Sequence, residues 1–172
     1  SVTFPARDEA KDIEQPLRSF FAVADEIVVG VDPRTTENTR AIVERYGRAF
    51  SLSEPWGPSD DRVAGTNAVH FSHLRNQCIE QTVGDWIFMT EAHERLDPSS
   101  IDMCLTLGDV PKEIGILAVL RESDETQWLF PWLFRRDDRV RFRNPVHNYL
   151  DHPDTVAVAE APQIKTFHER HA

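Results

Sequence analysis

Short apolar runs alternate with helix-periodic segments through the first hundred residues, and this alternation limits the fold more than any single motif does. Glu26 to Val31 and Trp86 to Met89 are too brief for buried helices and are bounded by polar residues, the pattern of buried strands. Val2 to Ala6 reads as a first strand and Arg48 to Leu52 as a third short one. Between them, Pro16 suits a first helical turn, and Leu17, Phe20 and Phe21 follow at helical spacing. Thr39, Ile42, Val43 and Tyr46 share one face of a second helix, capped by Thr35 or Thr36 and stopped at Gly47. Phe71, Leu74, Cys78 and Ile79 mark a third, from about His70 to Thr82. Strands that alternate with helices predict an α/β domain with a mostly parallel central sheet and helices on both faces. Further on, Asp97-Pro98-Ser99-Ser100 starts a helix and Gly115 to Leu120 is a buried strand. Gln127 to Phe134 is an aromatic strand that Pro131 makes an edge or a bend, and Val156 to Ala159 is a last strand. Ser53 to Ala68, rich in Pro, Gly and Asp, reads as a long functional or mobile loop.

The apolar run to Met89 empties into Thr90, Glu91, His93 and Glu94. Ligands of open α/β sheets bind beyond the carboxyl ends of the strands. A carboxylate and a neutral imidazole two residues apart at such an end can hold a divalent cation. Spacing alone favours a loop acid beside an exposed histidine. The net charge of −10 argues against a general nucleic-acid binder, which needs clustered Lys and Arg. A local basic run does exist at Arg135, Arg136, Arg139, Arg141 and Arg143; it reads as a hairpin paired to nearby acids or as a seat for a phosphate-bearing acceptor. A length of 172 residues suits one domain. No apolar run approaches the roughly 18 residues of a membrane span, and no secretory signal is visible, so a cytoplasmic protein is expected. Cys78 and Cys104 lack metal or redox spacing and read as buried free thiols.

Four segments, in order, resemble the family 2 glycosyltransferases of GT-A fold. PARDEAKDI, from Pro5, looks like that family's first strand and its acidic loop. EIVVGVDPRTTENTRAIVERYG, from Glu26, resembles its second strand, acidic turn and helix. HLRNQCIEQTVGDWIFMTEAHERLDP, from His73, resembles its Arg-Asn helix, Gly-Asp-Trp strand and Asp-x-Asp loop. WLFRRDDRVRFRNPVHNYL, from Trp132, resembles a segment of a bacterial lipopolysaccharide-type subgroup. The similarity spans Val2 to Leu150. Glu91-Ala92-His93 stands where the family has Asp-x-Asp, and Asn148 where it has Glu.

The resemblance implies a single GT-A (Rossmann-like) domain, with residues 1–96 binding a nucleotide sugar and 97–172 forming the acceptor side. It implies transfer of a sugar from a nucleotide-diphosphate sugar, a UDP-sugar being favoured, to an unknown acceptor hydroxyl. Pro5, Arg7, Glu9, Asp32, Arg75 and Glu91 would bind the donor, and Glu91 and His93 a divalent cation. Imidazole in place of a carboxylate favours Mn²⁺ over Mg²⁺. Asp151, His147 or Glu94 would be the general base, and His147, or His168 or His171 from the tail, would approach the metal or diphosphate. The chain is lean for this fold, so the acceptor half is abbreviated or supplied by a partner or a homodimer mate. A nucleic-acid acceptor stays open. The rival reading is a degenerate GT-A module that binds a nucleotide or a partner without transfer. A nucleotidyltransferase is a third reading, but no Gly-rich phosphate loop follows the first strand.

Overall fold

The structure, a computed structural model, describes residues 1–36, 38–53, 70–124, 126–145 and 147–168. In chain order the elements are β1 (Val2–Ala6), α1 (Glu14–Phe21), β2 (Ile27–Val31), α2 (Thr39–Val43), β3 (Arg48–Ser51), α3 (Phe71–Glu80), β4 (Trp86–Met89) and β5 (Glu94–Leu96). They continue with α4 (Ile101–Leu105), β6 (Ile114–Glu122), β7 (Gln127–Arg135), β8 (Arg141–Arg143), β9 (Tyr149–Asp151) and β10 (Ala157–His168). The long Pro-, Gly- and Asp-rich loop expected over Ser53 to Ala68 lies, after Ser53, outside the described residues, as does His171.

Eight strands form one sheet in the order β3-β2-β1-β4-β7-β6-β10-β5. β1 pairs in parallel with β2 and β4, β2 with β3, and β6 with β10; β7 and β5 run antiparallel to their neighbours. The sheet is therefore mostly parallel, as expected. The chain builds outward from β1 to β3, then crosses back to lay β4 on the other side of β1. That reversal makes a topological switch point, with a crevice beyond the carboxyl ends of β1 and β4.

The pleat sends successive residues to opposite faces. Trp86 and Phe88 join Phe4, Val29, Leu17 and Phe20 in one core under α1. Ile87 and Met89 join Leu74, Cys78, Trp132, Phe134 and Phe142 in a second core under α3 and the β8–β9 ribbon. A strand buried on both faces explains why Trp86 to Met89 is continuously apolar rather than alternating. Phe20 meets Phe88 edge to face at 5.2 Å, which ties α1 to the strand that carries the polar loop.

Four expectations need correction. Neither Thr35 nor Thr36 caps α2: their backbone N–H groups donate to Asp32 O and Asp8 Oδ1, and Asn38 precedes the helix. Residues 90–94 are not loop throughout, because Glu94 opens β5, which pairs with the end of β10. The aromatic strand β7 is not an edge: it lies between β4 and β6. Pro131 is accommodated because the register slips opposite it, between Leu117 and Val119, and pairing with β4 has already stopped at Phe88 and Leu133. The last strand runs on past Ala159 to His168, with a second slip between Ala161 and Lys165 where Pro162 interrupts the ladder.

Gly47 joins α2 to β3 under a tight constraint. A Cβ there would lie 2.3 Å from the carbonyl oxygen of Ile27, whereas one on Gly108 would meet nothing within 4 Å. Gly47→Ala is expected to cost about 1–3 kcal/mol by overpacking against backbone. Gly108→Ala is expected to stay within about 0.5 kcal/mol, as substitutions away from such constraints do. Urea denaturation of the two variants checks the contrast.

Candidate functional site at the carboxyl end of the central strands

β4 ends at Met89, and the next residue is tied back to β1 by Thr90 N donating to Thr3 O. That bond fixes the direction in which the chain leaves the sheet and sets Glu91 over the crevice. The Glu91 carboxylate is a hub. Arg75 Nη2 of α3 donates to Oε1 at 3.0 Å, and Arg121 Nη2 at the end of β6 donates to Oε2 at 2.5 Å. His93 Nε2 lies 3.2 Å from Oε2 and His168 Nδ1 lies 3.6 Å from it. The two imidazoles meet edge to face, with centroids 4.4 Å apart. One ligand atom from each of Glu91, His93 and His168 lies within 4.8 Å of the others.

Both guanidiniums are 7% exposed. Their flat faces find an aromatic platform: Arg75 lies 4.9 Å and Arg121 4.8 Å from the centroid of Trp132, with Phe142 and Trp128 next to them. Arg is suited to such burial because its charge is delocalised and weakly hydrated. Arg75 Nη1 also donates to Asn148 Oδ1. Beneath Glu91, Glu94 is 1% exposed, takes hydroxyl hydrogen bonds from Thr90 and Thr166, and lies 3.3 Å from Arg121 Nε.

This setting moves several proton equilibria. Burial pushes the Glu91 carboxyl upward, but the His93 hydrogen bond and the two guanidiniums outweigh it and hold the group well below the usual carboxylate range. The hydrogen bond to Glu91 raises the His93 imidazole, with burial opposing. Burial raises the Glu94 carboxyl against the pull of Arg121. Burial also lowers the Arg75 guanidinium, with Glu91 acting against it.

The remaining expected residues are distributed around this hub. Pro5 is buried in β1 opposite Gly30. Arg7 pairs with Asp8 at 3.6 Å in the loop after β1, and the charge of Glu9 acts on His93. Asp32, 1% exposed after β2, accepts the Arg34 backbone N–H at 2.8 Å and lies 3.5 Å from its Nε. Asp8 accepts from Thr36 N, so the loops after β1 and β2 are joined. His147 is exposed with φ 53°; its neighbour Asn148 is the residue that reaches Arg75. Asp151 pairs with Arg143 on the β8–β9 ribbon at 3.1 Å. The basic run is spent on internal partners. Arg135 stacks on Trp86 and donates to the Ile114 and Val110 carbonyls, and Arg136 donates to Gly84 O and Thr82 Oγ1. Arg139, Arg141 and Arg143 pair with Asp137, Asp138 and Asp151.

One member of the cluster, Arg121, was missed by sequence, and His168 was named there only as one of two tail histidines. Arg121 ends the run Gly115 to Leu120 with a charge, the same signature that marks Asp32 and Glu91. His168 follows Ile164 and Thr166 at the two-residue spacing of a strand face.

No protein-family model matches the chain. A curated protein of Synechococcus elongatus, described as a TPR repeat-containing protein, is 29% identical over 154 residues, 88% of this chain and 35% of that protein. The crystal structure of S. aureus TarS 1–349 in complex with UDP-GlcNAc superposes with a TM-score of 0.67 at 15% identity, covering 99% of this chain and 58% of that one. The mannosyltransferase PcManGT of Pyrobaculum calidifontis, in complex with GDP-Man and Mn²⁺, gives 0.63 at 15% identity, covering 96% and 55%. The fold is thus α/β of the GT-A type. The chain spans about a third of the curated relative and little more than half of these two structures. Among the described residues, no helix is long and apolar enough to cross a membrane.

Two opposed pH effects follow from the hub. His93 has a raised pKa in the folded state, so its stabilising contribution is complete below its unfolded value and is lost as pH rises through the folded one. Glu91 has a depressed pKa, so its contribution is present above the unfolded value near 4.5 and is lost as pH falls toward the folded one. Urea denaturation of wild type and His93→Asn at pH 6 and pH 8.5 is expected to show the larger drop in wild type.

Proposed function

We propose that the protein transfers a sugar from a nucleotide-diphosphate sugar to an acceptor hydroxyl with the help of a divalent cation. The observation that carries this is the cluster of one carboxylate and two imidazoles, set among buried guanidiniums at the switch point of a GT-A sheet. The donor set suits a transition ion: one oxygen and two nitrogens favour Mn²⁺ over Mg²⁺, which prefers oxygen. Glu91, His93 and His168 would hold the ion. When bound, it would act as a Lewis acid on diphosphate oxygens as the sugar–phosphate bond breaks.

The chain's own groups divide the rest of the work. Asp32 accepts from ribose hydroxyls, and Pro5, Arg7 and Glu9 border the base. Arg75 offers charge-assisted donors to the diphosphate. Among the described residues, three buried donors of this arginine–tryptophan cluster, Arg75 Nε, Arg121 Nε and Trp132 Nε1, have no hydrogen-bond partner, which suits a site for an oxygen-rich ligand. A UDP-sugar is the favoured donor, in keeping with the UDP-GlcNAc held by the S. aureus structure. Residues 1–96 supply the donor side and 97–172 the acceptor side, except that Arg121 and His168 cross into the metal cluster. His147 is the favoured base, since it is exposed and adjoins Asn148, which touches Arg75.

One observation favours the rival reading of a binding module without transfer: both oxygens of Glu91 already carry guanidiniums. Thermal shifts with UDP, GDP, CDP and TDP, each with and without Mn²⁺, separate the two readings. A ligand that binds only the native state adds about 2.7 kcal/mol at a hundredfold excess over Kd. The expected outcome is a shift for one nucleotide that requires Mn²⁺. Nucleotide binding indifferent to Mn²⁺, with no turnover, would favour the binding module. Glu91→Ala and His93→Ala are expected to lower kcat by on the order of a hundredfold, since a Lewis acid supplies several kcal/mol of transition-state stabilisation. Full activity in both variants would refute the metal assignment. Cation affinity is expected to rise with pH through the raised pKa of His93, because imidazole must be neutral to ligate.

A further inference from the structure

Arg121 is absent from the expected donor set, yet its tip holds the middle of the cluster. Nη2 lies 2.5 Å from Glu91 Oε2 and hydrogen-bonds His168 Nδ1. These are atoms of two of the three residues that would hold the cation. An ion bound to a carboxylate oxygen and an imidazole nitrogen sits about 2.0–2.2 Å from each. A guanidinium nitrogen in contact with the same two atoms fills that position. We propose that Arg121 is a tethered competitor of the divalent cation, so that a cation enters only when the tip of Arg121 leaves. This rests on the metal reading above.

The surroundings allow the tip to move while the pocket keeps its form. Nε lies 3.3 Å from Glu94, and Trp132 and Trp128 flank the guanidinium. Glu94 retains the Thr90 and Thr166 hydroxyls whatever Arg121 does. Arg75 retains Oε1 of Glu91, so the carboxylate stays oriented while Oε2 exchanges one cation for another. Arg75 also supplies an internal control: it puts the same charge on the same carboxylate but does not bridge to His168.

Mn²⁺ binding, followed by electron paramagnetic resonance, tests the proposal on wild type, Arg121→Gln, Arg75→Gln and Glu91→Gln. Arg121→Gln is expected to bind Mn²⁺ at least about tenfold tighter than wild type, since a hydrogen bond between charged groups no longer has to be broken. The gain should exceed that of Arg75→Gln, and Glu91→Gln should bind poorly. Equal gains in the two arginine variants would reveal a general charge effect and overturn the competition. Unchanged or weaker binding by folded Arg121→Gln would overturn it while leaving the metal reading intact. No binding by wild type or either arginine variant would refute the metal reading and the competition with it. Should Arg121→Gln fail to fold, wild type decides: saturating Zn²⁺ is expected to shift the Arg121 Nε–Hε resonance, and an unmoved resonance overturns the proposal.

Discussion

The carboxylate of Glu91 between the guanidiniums of Arg75 and Arg121 is the interaction on which the rest of the site depends. Two arginines at 7% exposure keep their charge when buried and so need a counter-charge beside them, which the Glu91 carboxylate supplies. Removing one member of such a group leaves an uncompensated buried charge, which costs far more than the intact group contributes. The three residues come from α3, from the end of β4 and from the end of β6, so their pairing fixes those elements relative to one another. Trp132 of β7 completes the arrangement by giving both guanidiniums an aromatic surface within 5 Å.

The sheet explains why this group stands where it does. The reversal of strand order between β1 and β4 opens a crevice that no strand end fills. Asp32, the loop after β1 and Glu91 line neighbouring strand ends of β2, β1 and β4, so one ligand can span them. The histidines alter the chemistry at that edge. A carboxylate beside two imidazoles is a softer donor set than a pair of carboxylates, and imidazole nitrogen can ligate only when neutral.

Much of the fold was legible because the pattern that specifies it is local. Ile27–Val31 and Trp86–Met89 are buried throughout, and their sequences carry that burial as unbroken apolar runs. Leu17, Phe20, Leu74 and Cys78 announce the inward faces of α1 and α3 by helical spacing alone. Glu91 and His93 were readable as a pair because only Ala92 separates them. Arg121 and His168 were not, because their role depends on β6 and β10 lying beside each other, a relation no local window contains. Pro131 misled for a similar reason: its cost depends on what lies opposite, and here a register slip and the end of β4 remove the bonds it would have broken. The basic run read either as a hairpin paired to nearby acids or as a seat for phosphate, and the structure gives each arginine a carbonyl, a hydroxyl or an acid.

The short pairing of β5 with the end of β10 bears on the order in which the molecule can assemble. Thr166, Phe167 and His168 ladder onto Leu96, Arg95 and Glu94, bringing together segments seventy or more residues apart. Closing so long a loop costs entropy before any contact repays it, so pairings of this kind form late and slowly. The pairing of β1 with β4 joins Val2 to Phe88 and Thr3 to Met89, so the strand end that carries Glu91 is subject to the same cost. The pocket around it acquires its second histidine, His168, and the strand pairing that seats Glu94 only when the final strand docks. Completion of the cluster is thereby a report on completion of the fold: a chain frayed at its last strand presents the Glu91 carboxylate without His168 beside it.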